Sequence, residues 1–397
     1  MRIDADHWEI YKERVRSRVV LVEDSKLKVL SEKIEYGEAL RVIINGKVAM
    51  VSGKRIDDNL VRQAIKLAKV SQNKLSEFPS PEKLDKVKIY DRGVEKLDAD
   101  ALRDVGESIA SVGSISSSHF SVEVVEREIS NSEGVEYAEK ETSVSVFVEA
   151  VYKNGSAYEH HESRRFDFNP EGYAEKALNL AKIDSKAEKI ETKAYEVTLS
   201  PIAVDQLLSN ALYPAFYFEN IKRGRSMISQ LFGKPVFGEL TITDDPLIHW
   251  GINSCSFDDE GVRTKRTRLV ERGVVKAYIS DLNHSPDVLT GNGFRENVAS
   301  YPSTNPTNIL LEHKERGERS ELYIHSFIGA HTSNFVSGEF SLKLMNASID
   351  GRGIKGAMIY GNVYELLSKI SHFAGKERQV GYTISPEVVI SDVVVRG

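Results

Sequence analysis

Two periods alternate along the first half of the chain. In RVIINGKVAMVSG, two β-rich runs flank Asn45-Gly46, a pair that tolerates positive φ at both positions and so predicts a two-residue hairpin turn. DDNLVRQAIKLAKVSQN follows at once, with Leu60, Ala64, Leu67 and Ala68 recurring at helical spacing behind acidic capping residues. The same order returns later. SVSVFVEAVYKNGSAYEHHESRRF sets Asn154-Gly155 between strand-like runs, and PEGYAEKALNLAK supplies the next amphipathic helix, its KALNLAK echoing QAIKLAK. A helix-like segment precedes each copy: DADHWEIYKERV before RVVLVED, and DADALRDVGESIASV before FSVEVVER. The pattern predicts a duplicated unit of helix, antiparallel strands and helix.

Past KIDSKAEKIETKAYEV, which reads as a solvated Lys/Glu-rich linker, short β-like runs separated by Gly, Asn and Pro take over: GELTITDD, RLVERGVVKAYIS, ELYIHSFIGA and EVVISDVVV. The convincing helices here are SPIAVDQLLSNAL and NVYELLSKISHF. The fold class expected is α+β. An N-terminal α/β-sandwich-like domain with an internal duplication occupies residues 1–190, and a β-rich C-terminal domain with a few helices occupies 191–397.

Composition narrows the classes of function. With 397 residues, 41% of them apolar, the chain furnishes a full core without external staples. Its 53 Lys plus Arg stand against 59 Asp plus Glu, a formal charge of −6, which disfavours non-specific nucleic-acid binding. MRIDADHWEI carries charges where a signal peptide has its apolar core, and no run approaches the roughly 18 apolar residues of a membrane span. The single cysteine, Cys255, permits neither an internal disulfide nor a multi-cysteine zinc cluster. A soluble, unprocessed protein of a reducing cytoplasm is expected.

Several stretches carry candidate chemistry. His161-Glu162 opens like the helical zinc-hydrolase signature HExxH, but the second ligand would be Arg165, or Phe166 in the longer HExxxH spacing, and neither ligates a metal. The segment also alternates like a strand, which turns His160 and His161 to opposite faces. GRGIKG at 351–356 satisfies GxGxxG, yet strand-like flanks predict a hairpin rather than a dinucleotide loop. TGNGFRE at 290–296 offers backbone amides and Arg295 that suit a carboxylate or phosphate, with a glycine turn as the plainer reading. Asp258, Asp259 and Glu260 precede Gly261 and read as a hairpin turn, and Cys255 reads as a small buried apolar residue.

From FDDEGVRTKRTRLVERGVVKAYISDLNHS onward, through TGNGFRE, FVSGEFSLKLMNASIDGRGIKGAMIYGNVYELLSKI and SPEVVISDVVVRG, the chain resembles the TldD/PmbA family, also called modulators of DNA gyrase and peptidase family U62. VEDSKLKVLSEKIEYGEALRVI and the strand bearing His160 match more loosely. The resemblance implies a two-subunit zinc metalloprotease in which TldD-type subunits carry HExxxH on the first helix of the second domain and a cysteine near the C-terminus. The matching stretch here is LLSNALYP, which sets Ser209 and Asn210 at the first histidine and the glutamate, and Pro214 at the second histidine. Neutral Ser and Asn are weak donors to zinc, and Pro214 should end or kink the helix. The chain therefore resembles the metal-free PmbA/TldE-type subunit, a pseudoenzyme with no catalytic, metal or cofactor residues of its own. The resemblance implies that zinc sits in a TldD-like partner of a cytoplasmic heterodimer that admits unfolded peptides, and it leaves open whether the lone chain forms a homodimer. A self-sufficient peptidase using His160, His161 and Glu162, and a gyrase- or DNA-associated protein, are the alternatives.

Overall fold

The computed structural model describes residues 2–284 and 289–397, so the final Ser285 of the first resemblance stretch lies outside them. The first half contains β1 (His7–Glu23), β2 (Lys26–Ile44), β3 (Lys47–Gly53), α1 (Asp58–Val70), α2 (Arg92–Glu95), α3 (Ala99–Ser111), β4 (Ile115–Asn131), β5 (Glu136–Tyr152), β6 (Gly155–Ser163) and α4 (Pro170–Asp184). The strands form one antiparallel sheet in the order β3-β2-β1-β4-β5-β6. Each repeat thus starts at the centre of the sheet and folds outward to its own edge, and each ends in a helix. This arrangement agrees with the duplicated pattern.

The leading helix of the first repeat is absent. DADHWEIYKERV enters β1 from His7, because Trp8 and Ile10 face α1's cluster while Glu9 and Tyr11 are buried on the opposite face, a two-residue alternation that a helix cannot satisfy. The second copy does form α3, capped by Asp98. Helix α1 buries Val61, Ala64 and Ala68 rather than Leu67, which is 42% exposed. Asn45 and Gly46 both adopt positive φ in their turn, as expected. The second hairpin turns one residue earlier, at Lys153-Asn154, with Tyr152 opposite Gly155. Gly155 is needed for packing: a Cβ there would lie 2.3 Å from the Ala181 carbonyl oxygen at the end of α4.

The second half contains β7 (Lys193–Leu199), α5 (Pro201–Ala211), α6 (Phe218–Lys222), α7 (Ile228–Leu231), β8 (Thr241–Asp244), β9 (Thr267–Glu271), β10 (Val274–Val275), β11 (Gly293–Phe294), β12 (Ser303–Thr304), β13 (Ile309–Glu312), β14 (Leu322–Ile328), β15 (Glu339–Ile349), β16 (Arg352–Ile354), β17 (Met358–Asn362), α8 (Val363–Ser368), β18 (Ile370–Val380) and β19 (Thr383–Arg396). Strand β7 pairs with both β14 and β19, closing β7, β14, β15, β17 and β19 into a ring. The helix expected over NVYELLSKISHF stops at Ser368. Beyond it, Ile370 to Phe373 pair with β19, which buries Phe373. GRGIKG forms the turn and short strand after β15, again as a hairpin. The linker is less solvated than its composition suggests, since Ala187 is buried and Glu188 bridges to Ile354. No described helix is long and apolar enough to cross a membrane.

Candidate functional site

Helix α5 is set by Ser200, whose hydroxyl caps the Ala203 amide, and by Pro201 in its first turn. Ile202, Ala203, Val204, Leu207, Leu208 and Ala211 are buried, which leaves Asp205, Gln206, Ser209 and Asn210 as a polar stripe at i, i+1, i+4 and i+5. The helix ends at Ala211, and Pro214 lies in a following 3-10 turn over Tyr213–Phe216, as a missing N–H requires.

The stripe is already occupied with bonds inside the chain. The Ser209 hydroxyl donates to Asp205 Oδ1 at 3.1 Å, and Asn210 Nδ2 donates to the Gln206 carbonyl at 2.8 Å. Asp205 also accepts from the Thr383 hydroxyl at 2.7 Å. Burial pushes the Asp205 carboxyl up to about 6 despite these donors. Ser209, Asn210 and Pro214 supply no imidazole, thiolate or carboxylate, so the three positions do not fit a zinc ion. Among the described residues, no group of three or more His, Cys, Asp or Glu side chains is placed to hold one elsewhere.

The structure brings this stripe against the other flagged stretch. Gln206 Nε2 donates to the Tyr158 hydroxyl at 2.8 Å across the junction of the two sheets. Tyr158 belongs to β6, and so do His160, His161 and Glu162. His161 stacks on Tyr173 of α4 with ring centroids 5.1 Å apart, while His160 lies on the Tyr158 face. The two imidazoles do not converge. Burial, then Arg378, lowers each to about 4, so both are neutral near pH 7. Glu159 is fully buried between Arg378 at 2.9 Å and Lys176 at 2.7 Å. Burial alone would raise its carboxyl, but Arg378, His325 and Lys176 bring it down to about 2.

Strand β6 is an edge strand, and its outward carbonyls are capped one by one from the second half. Asn346 Nδ2 donates to Ser156 O at 2.7 Å, and His325 Nε2 lies 3.1 Å from Tyr158 O. Arg378 Nη2 donates to His160 O. The HExxH-like letters therefore belong to a docking strand.

A cleft of ≈ 570 Å³ opens between the first sheet and the loops of the second half, lined among others by Glu13, Glu123, Arg127, Glu141, Asp259 and Arg295. Arg127 bonds Glu141 and Asp259, both at 3.1 Å, and Arg164 reaches Glu141 at 3.2 Å. Burial would raise Glu141, but the two guanidinium groups hold it below its ordinary value. Among the described residues, no cation is bonded to Glu13 or Glu123 in this way, and burial raises both carboxyls. Behind the cleft, Arg41 is fully buried, bonded by Nε to Glu9 at 2.8 Å and by Nη1 to Glu260 at 2.7 Å. Arg295 joins Glu9 at 3.1 Å.

The two acidic and glycine-rich turns are thus each other's partners. Asp258 accepts from the Gly293 amide and Asp259 from the Arg295 amide, both at 2.9 Å, so the amides of TGNGFRE do hold carboxylates, and these come from the chain itself. Asp258–Glu260 form the expected turn, with Phe257 bridging Arg263, but their carboxylates are buried, which a turn reading does not foresee. Cys255 is buried, and burial pushes its thiol well up. Arg41, Arg127, Arg164, Glu159 and Arg378 carry no local motif, because each finds its partners on other elements that only the folded sheet brings alongside. The available signal was alternation in β1, β2, β4 and β5, which puts charged residues at inward positions.

Comparison with known proteins gives this architecture a place. Profiles of PmbA/TldA metallopeptidase domain 1, central domain and C-terminal domain match residues 8–68, 74–184 and 192–397. This chain belongs to the PmbA/TldD family. It is 33% identical over 381 residues to an uncharacterized protein of Methanocaldococcus jannaschii, covering 91% of this chain and 90% of that one. A metalloprotease of the same organism is 24% identical over 92% of this chain and 89% of its own length. The crystal structure of TldE from Thermococcus kodakarensis superposes with a TM-score of 0.91 at 21% identity, covering 99% and 97% of the two chains. A Thermotoga maritima protein described as a modulator of a DNA gyrase gives 0.89 at 22% identity, over 98% and 96%. At these identities the two structures establish the fold of this PmbA/TldD family member.

Proposed function

We propose that this chain is the metal-free, TldE-like subunit of a two-subunit peptidase, working beside a zinc-bearing TldD-like chain. The observation that carries the reading is the α5 stripe, where Ser209 and Asn210 are bonded within their own helix and Pro214 has left it. A family scaffold is retained while the positions matching ligand, base and ligand have no metal-binding or proton-accepting chemistry. The neutral His160 and His161, on opposite faces of β6, lend no support to a self-sufficient hydrolase.

On this reading the chain completes a chamber, and its cleft helps present an extended, unfolded peptide. Glu13 and Glu123, with no cation bonded to them among the described residues, favour the positively charged groups of such a peptide. The name of the Thermotoga maritima relative refers to gyrase, but a formal charge of −6 gives this chain no general affinity for nucleic acid.

The deciding experiment measures bound zinc and cleavage of an unfolded peptide for the chain alone and after mixing with a zinc-bearing family member. The expected result is zinc and cleavage only in the mixture. Stoichiometric zinc in the lone chain, or robust cleavage by it, overturns the assignment.

A further inference from the structure

The floor of the cleft has a pattern of its own. Where β1 pairs with β4, Glu13 lies opposite Arg127, Val15 opposite Val125 and Ser17 opposite Glu123. Residues two apart on a strand share a face, and all of these except Ser17 line the cleft. The floor therefore runs from a carboxylate over an apolar step to a second carboxylate, with Glu13 and Glu123 four positions apart along the strands, about 13 Å at some 3.3 Å per residue. Loops of the second half add Ile252, Phe294 and Tyr382 to the walls.

Charge inside the cleft is not balanced. Five carboxylates line it against three guanidinium groups, and the guanidinium groups are already committed: Arg127 to Glu141 and Asp259, Arg164 to Glu141, and Arg295 to Glu9. Glu13 accepts from the Tyr11 hydroxyl at 2.9 Å, but among the described residues neither Glu13 nor Glu123 has a Lys or Arg within ion-pair distance. Both call for a cation from outside. The wall calls for an acceptor as well, because Arg127 and Arg295 each keep an Nε–H with no acceptor among the described residues, and the Arg295 side chain is only 1% exposed. A metal ion or a protonated polyamine brings no acceptor. A peptide brings carbonyls and cationic side chains together, and a cleft of ≈ 570 Å³ is of a size that takes such a ligand.

We propose that the cleft is a subsite for a basic extended peptide whose first and fifth residues are Lys or Arg and whose third is apolar. An extended chain sets side chains i, i+2 and i+4 on one side over about 13 Å, which is the separation of the two carboxylates along the floor. The first residue then lies over Glu13, the third on the Val15–Val125 step and the fifth over Glu123. The motif reads the same in both chain directions, so either orientation satisfies it. A single basic residue would leave one carboxylate without a counter-charge. The formal charge of −6 adds long-range attraction for such a ligand. The inference rests on the reading that the cleft presents an unfolded peptide, and it narrows that peptide to a basic one.

Fluorescence anisotropy on the full chain alone tests it, with a fluorescein-labelled peptide carrying Lys-Ala-Leu-Ala-Lys between Gly-Ser flanks. Neither zinc nor cleavage enters the measurement, so its failure leaves the two-subunit assignment standing. Saturable binding is expected, weaker by about tenfold or more when both lysines of the peptide are replaced by glutamate, and by a similar factor for Glu13→Gln combined with Glu123→Gln, with circular dichroism confirming the fold. Moving the second lysine next to the first should cost about threefold or more, and Glu123→Lys should come to prefer Lys-Ala-Leu-Ala-Glu. The peptide series on the wild type decides even where a variant does not fold. Absence of saturable binding, equal binding of the acidic peptide, indifference to lysine spacing, or a folded double variant that binds like the wild type overturns the proposal. Spermidine that binds as tightly as the peptide and is weakened by the same double variant would make the cleft a polyamine site, which also overturns it.

Discussion

The two repeats of the six-stranded sheet place equivalent strands in mirror order, yet their outer edges end differently. In the second repeat, three side chains from the other half seal the carbonyls of β6, and the connecting segment covers the exposed part of β5. In the first repeat, β2 runs bare past the end of β3. Duplication fixed the strand pattern, whereas the position of the second sheet decided which edge was protected. A free edge therefore marks the side from which this architecture has not yet been covered.

The first repeat still reaches the second half, but through its interior. Arg41→Met would leave Glu260 buried without its counter-charge and Glu9 with Arg295 alone, and a loss of about 3–5 kcal/mol is expected in urea denaturation. If the loss is below about 1 kcal/mol, the buried pair does not join the halves. Arg378→Met, at the second repeat's edge, strips a partner from buried Glu159 and a donor from His160 O. It should cost about 3 kcal/mol, against less than about 0.5 kcal/mol for Lys28→Met on the bare edge. Equal costs would erase the contrast.

Acid should act on the sealed edge first. His160 and His161 titrate at about 4 in the fold against 6.5 ordinarily, so the unfolded chain takes up protons first and stability falls as pH drops from about 6.5 to 4. Glu159, depressed to about 2 from 4.5, contributes stability above pH 4.5 that is lost as pH falls further toward 2. His161→Phe keeps the ring against Tyr173 and should remove about 2 kcal/mol of the loss between pH 7 and 4.5, read from denaturation midpoints. An unchanged pH profile would show that His161 is not held neutral. A smaller effect than at Arg378 or His161 is expected for Asn346→Ala, about 1 kcal/mol for one lost bond to Ser156 O.

Much of this was legible in the letters. The Asn45-Gly46 turn, α1, α3 and α4 follow from local period and capping, and Pro214 signalled the end of α5. DADHWEIYKERV reads as helix because two of its charged residues are held on the inner face of a strand by partners the local pattern does not announce: Glu9 meets Arg41, and Glu13 accepts from Tyr11. At the candidate site, the losses at Ser209, Asn210 and Pro214 could be seen by position. The contact between Gln206 and Tyr158 could not, because nothing local in either stretch specifies the other.

The buried turn at Asp258–Glu260 bears on how such chains are found. Its carboxylates clasp Gly293, Arg295 and Arg41. The most recognisable letters of the second half thus report how the molecule is assembled. A search keyed on them gathers chains by shared carpentry, and whether any one of them cuts a bond must be asked of another helix.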